Sequence, residues 1–71
     1  MTFVADRPMD RQYDIFERFP GGQLVWRAVK IGHEQSLLRM KELAARSTNE
    51  FVLLHVPTNT VVAIANAKKA S

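Results

Sequence analysis

The chain has 71 residues, 46% hydrophobic and 24% charged, with a net charge of +3 and no cysteine. That length makes one domain, whose small core leaves only a few kcal/mol of net stability, so a further support is expected. Without cysteine, a disulfide framework and a thiolate zinc site are excluded; self-association stays open, and a reducing, cytoplasmic setting is the default.

The positive charge is unevenly placed. Residues 12 to 66 carry Arg18, Arg27, Lys30, Arg39, Lys41 and Arg46 against Asp14, Glu17, Glu34, Glu42 and Glu50, a surplus of one. The first eleven residues cancel, and Lys68 and Lys69 supply the rest. The basic balance is thus largely a property of the tail, whereas a nucleic-acid surface wants Lys and Arg gathered on one face. No apolar run approaches the ~20 residues of a membrane span. The opening MTFVADRPMDR has no long hydrophobic stretch after a basic start, so no secretory signal is expected.

Residues 1–11 mix charges around Pro8 and read as a flexible arm, in which Thr2 to Ala5 could add a short strand. The single α+β domain is expected over 12–66, and 67–71 as a frayed basic tail. QYDIFERF, residues 12–19, reads as a strand. Pro20-Gly21 then supplies the preset φ and the permissive φ of a tight turn, and LVWRAVKI, residues 24–31, returns. With an even-numbered loop, Tyr13, Ile15 and Phe19 share a face with Leu24, Trp26 and Ala28, the better core. Asp14, Phe16 and Arg18 then share the other face with Val25, Arg27 and Val29. An odd loop exchanges the pairing.

Gly32 to Ser47, GHEQSLLRMKELAARS, is the one segment with helical periodicity. At about 100° per residue, Leu37, Met40, Leu43 and Ala44 fall on one arc with His33, Ser36 and Ser47. Gln35, Arg39, Glu42 and Arg46 fall opposite. Gly32 is the expected N-cap, and Glu34 in the first turn suits the helix dipole. Leu38 and Ala45 form a minor strip off the main arc.

Ser47-Thr48-Asn49 breaks the helical pattern. EFVLLHV, residues 50–56, is a strand, Pro57-Thr58-Asn59 a turn with Asn59 tolerating the left-handed conformation, and TVVAIAN, residues 60–66, the partner strand. The order β-β-α-β-β predicts an α+β fold, a four-stranded, mostly antiparallel sheet with one helix packed on one face. It resembles that of many small bacterial hairpin-helix-hairpin proteins of no established activity, and no motif supports a residue-by-residue transfer.

The second hairpin does not alternate. Phe51, Leu53, Val61 and Ala63 hold one parity; Val52, Leu54, Val56, Val62 and Ile64 hold the other. One helix covers one face, so something else must cover the second: the N-terminal arm, a second copy of the chain or a different protein.

Chemistry-bearing residues are sparse. His33 and His55 are 22 residues apart, short of the three or four converging ligands that a metal needs. Ser36 stands near His33 at helical spacing, with no orienting acid or oxyanion hole. Asp14 and Glu17 have opposite strand parity. Pro20-Gly21-Gly22 is a hairpin turn and does not lead from strand into helix as a phosphate loop does. No catalytic residue, metal or cofactor is expected.

Two functional readings follow. The first is a non-enzymatic protein-interaction module, most simply a homodimer, joined through Val52, Leu54, Val56, Val62 and Ile64. The alternative is nucleic-acid binding, with Phe16 stacking on bases and Arg18, Arg27, Lys68 and Lys69 on phosphates.

Overall fold

A computed structural model describes residues 11–67. Thr2 to Ala5 and the lysines at 68 and 69, with the short strand and the basic tail expected there, lie outside the described residues. The elements are β1 (Gln12–Arg18), β2 (Leu24–Ile31), α1 (His33–Ala44), β3 (Glu50–His55) and β4 (Thr60–Ala65). They form one open sheet in the order β2-β1-β3-β4, every neighbouring pair antiparallel.

The order follows from the connections. Each hairpin pairs its own strands, and β1 also pairs with β3. Strands β2 and β3 therefore run the same way on either side of β1. A parallel return needs a crossover, and α1 supplies it across one face of the sheet. The central strands β1 and β3 hold most of the buried apolar side chains.

Ile15, Met40, Ala44, Phe51 and Leu53 form the core beneath α1, with Tyr13, Ala28, Leu37, Leu43, Ala63 and Ala65 packed against it. Ser36 is fully buried, and its hydroxyl donates to the Gly32 carbonyl at 2.6 Å. Such a small, satisfied side chain lets the helix approach the sheet closely. Gly32 caps the helix with φ 96° and ψ 138°, a backbone that L side chains rarely adopt, and its N–H donates to the Arg11 carbonyl at 2.8 Å.

Both turns differ in detail from expectation. The Gly22 N–H closes onto the Phe19 carbonyl at 2.7 Å, with Pro20 and Gly21 between. The left-handed residue is Gly22, φ 92°, and not Gly21. The chain reverses over Pro20-Gly21 and needs the positive φ one residue later, to re-enter β2. In the second hairpin Asn59 is left-handed, φ 54°, as expected. Strand β3 ends at His55, one residue early, because Val56 is drawn into the turn and accepts from the Asn59 N–H at 3.1 Å.

The larger correction concerns register. Ile15 pairs with Ala28 but Phe16 with Trp26, so Arg27 is an extra residue in β2. Such a bulge shifts every later side chain to the other face. Tyr13, Ile15 and Ala28 face the helix as expected. Trp26 and Leu24 do not: they pair with Phe16 and Arg18 on the far face, and Val25 takes the helix side opposite Glu17. A second bulge in β4 pairs Leu53 with Ala63 but Leu54 with Val61, leaving Val62 extra. Val61 thereby joins Leu54 instead of Leu53.

Candidate functional site: the open sheet face

Directly paired residues on neighbouring strands share a face. The face away from α1 thus carries Leu24, Trp26, Val29 and Ile31 from β2, and Asp14, Phe16 and Arg18 from β1. It also carries Glu50, Val52 and Leu54 from β3, and Val61 and Ile64 from β4. The exposed large apolar side chains among the described residues are Leu24, Trp26, Val29, Ile31, Leu38, Val61, Val62 and Ile64. Six lie on this face by pairing, Val62 stands in the edge bulge, and Leu38 alone is on the helix. Trp26 is 54% exposed and Ile64 50%.

Of the five residues read from sequence as an apolar patch, Val52, Leu54 and Ile64 lie on this face by direct pairing. Val52 is buried between its lateral neighbours Phe16 and Ile64. Val62 is exposed at the bulge, and Val56 belongs to the turn, its N–H donating to the Gln12 carbonyl at 3.0 Å. Leu24, Trp26, Val29, Ile31 and Val61 were not in that set. The signal for the β2 residues is in LVWRAVKI: its exposed apolar positions 24, 26, 29 and 31 step by two, three and two, the mark of one inserted residue.

The charges on this face are Asp14, Arg18 and Glu50, and the last two pair with each other. Arg18 Nε lies 3.1 Å from Glu50 Oε1, directly across from it in register. Together with Phe19 and Pro20 this pair lines a shallow depression of about 140 Å³, small for a ligand site. The nucleic-acid reading therefore has Phe16 and Arg18 on the open face, joined by Trp26 opposite Phe16. Arg27 is turned to the helix side and held by Glu17. Lys68 and Lys69 lie outside the described residues.

The helix side carries two polar clusters. At one end Glu17, only 6% exposed, accepts from Arg27 Nε and Nη2 at 2.8 Å each, from Ser47 Oγ at 2.9 Å and from Asn49 Nδ2 at 2.8 Å. The Asn49 hydrogen bond, with those from Ser47 and Arg27 and the Arg27 charge, holds the carboxyl below its ordinary pKa, against the opposing pull of desolvation. Asn66, φ 56°, donates from Nδ2 to the carbonyls of Ala44, Ser47 and Asn49 at 2.8 to 3.1 Å. These bonds reach carbonyls at and beyond the helix C-terminus, of which that of Ala44 also accepts from the Ser47 N–H at 3.3 Å.

At the other end Tyr13 lies between two imidazoles, with ring centroids 5.7 Å from His33 and 4.9 Å from His55. The fold thus gathers two histidines that are far apart in sequence. His55 Nδ1 is 2.7 Å from Thr58 Oγ1. Among the described residues no three His, Cys, Asp or Glu side chains converge as a metal site would require. Ser36 is bonded to the Gly32 carbonyl, and Asp14 and Glu17 face opposite sides of the sheet.

Comparison with protein-family models, curated proteins and solved structures finds no match for this chain. Among the described residues, no helix is long and apolar enough to cross a membrane.

Proposed function

We propose that this chain is a non-enzymatic, cytoplasmic protein-interaction module that self-associates through the open sheet face, most simply as a twofold homodimer. The observation that carries this reading is the gathering of Leu24, Trp26, Val29, Ile31, Val61 and Ile64 on the face that α1 leaves uncovered. Four strands ~4.8 Å apart, each about 20–26 Å long, give that face a footprint of roughly 400–500 Å². This lies in the middle of the ~300–600 Å² range for the largest apolar patch on a monomer, with Asp14, Arg18 and Glu50 taking part of the face, and burying its apolar part is favourable. A second copy is a suitable cover because it offers the same apolar surface, and because Arg18 and Glu50 neutralise each other at the rim.

The alternative reading, nucleic acid on Phe16, Trp26 and Arg18, rests on the placement of Trp26 opposite Phe16. It has fewer cations available, since Arg27 is engaged by Glu17.

Absolute mass by light scattering after size exclusion, at low and high salt, tests the proposal. A salt-resistant species near twice 8.1 kDa is expected, and Leu54→Glu or Trp26→Glu should return it to a folded monomer. A wild-type monomer at all concentrations, or a mass unmoved by both substitutions, overturns the reading. Binding to single-stranded oligonucleotides that weakens steeply with salt would favour the alternative.

A further inference from the structure

The two edges of the sheet are not protected alike. Strand β2 has Arg27 and Lys30, and its bulge falls mid-strand. Charges and bulges are the usual means of keeping an edge from pairing with another chain. Strand β4, TVVAIA, has no charged residue and no proline, and its bulge lies at Val62, close to the turn. Ala63, Ile64 and Ala65 beyond it pair regularly with Leu53, Val52 and Phe51. Among the described residues, their outer backbone groups face no other strand of this sheet.

We infer that the β4 edge is a second self-association surface, pairing antiparallel with β4 of another copy about a twofold axis that passes between the two copies' Ile64 residues. The sequence around Ile64 is symmetric for this purpose. Antiparallel pairing centred there sets Ile64 against its own counterpart on the open face, and Ala63 against the other copy's Ala65 on the helix side. No like charges meet, and the two alanines leave room beneath the helices. The contact uses backbone hydrogen bonds and extends the sheet to eight strands. It stands apart from face stacking, which leaves every edge amide as it was; at protein concentrations above those that form the face-joined dimer, the two contacts together give a dimer of dimers.

Amide hydrogen exchange on the full-length chain, read residue by residue, tests the inference. In a lone sheet alternate amides of an edge strand face solvent and exchange fast. Edge pairing should slow those of β4 by about tenfold or more relative to the matching amides of β2, increasingly with protein concentration. Ile64→Lys and Ile64→Glu should each abolish this protection, since like charges then meet on the axis, and a one-to-one mixture should restore it. Ile64 is half exposed, so both variants should fold. Equal exchange at the two edges, or protection unaltered by both single variants, overturns edge pairing. Those results do so even where the mass shows a dimer, which would then be joined by its faces alone.

Discussion

Arg27 places Nε and Nη2 each 2.8 Å from Glu17 Oε1, and this pair goes with the exposure of Trp26 on the opposite face. One inserted residue turns the guanidinium toward the helix side and sends the indole outward. Without it, alternation would put Trp26 in the core and Arg27 on the open face, the arrangement that the sequence pattern suggests. The bulge therefore does two things. It neutralises a carboxylate packed beneath the α1–β3 connection, and it makes the open face more apolar.

Glu17 should give this fold an acid-sensitive limb. Its carboxyl sits below the ordinary carboxylate pKa when folded, chiefly through Asn49. The unfolded chain then binds the proton more tightly than the folded one. The stabilisation is complete above the ordinary carboxylate value of the unfolded chain and is lost as pH falls below it and through the lower folded value. Urea midpoints measured from neutral into acid should show the decline. Glu17→Gln should be less stable at neutral pH and should flatten that limb; an unchanged slope would assign the acid response elsewhere.

The glycines at 21 and 32 should respond in opposite directions to alanine. Open space surrounds the Cβ position at both, so only the backbone decides. Gly32 has a positive φ and Gly21 does not. Gly32→Ala should cost about 1–2 kcal/mol and loosen the start of α1. Gly21→Ala should be neutral or stabilise by a few tenths up to about 1 kcal/mol. Urea denaturation of the two single variants checks both.

Asn66 ties the end of β4 to the end of the helix through three carbonyls. Replacing it with alanine removes those bonds and strains a left-handed residue, so Asn66→Ala should cost about 1–3 kcal/mol. Asn66→Gly keeps the backbone freedom and loses only the amide. The difference between the two variants in chemical denaturation measures the torsional share.

Much of the fold was legible because its signals are local. Gly32 and Glu34 mark where α1 begins, Leu37, Met40 and Ala44 mark its inner face, and Pro57 with Asn59 marks the second turn. What was not legible depends on partners distant in sequence. A period of two cannot show by itself where a strand gains a residue, so strict alternation places Trp26 inward and groups Val61 with Leu53. The central place of β1 rests on its pairing with β3, which no local pattern encodes. Glu17 reads as an ordinary strand charge until Ser47 and Asn49, some thirty residues on, arrive beside it.

Trp26 discriminates between the two ways of placing β2. It is the one tryptophan of the chain, so its emission reports this site alone. Were it a core residue, Trp26→Ser would cost about 3–5 kcal/mol, enough to unfold so small a domain. Placed outward and half exposed, it should change the stability of the monomer by no more than about 0.5 kcal/mol. The same substitution should nevertheless weaken association, because an aromatic side chain buried at an interface contributes heavily to binding. Wild-type emission should therefore move to shorter wavelength as concentration rises through the monomer–dimer range, in step with the mass from light scattering. A blue emission that stays constant down to the most dilute monomer, with a Trp26→Ser variant that fails to fold, would return the indole to the core and leave the open face without its largest apolar contributor.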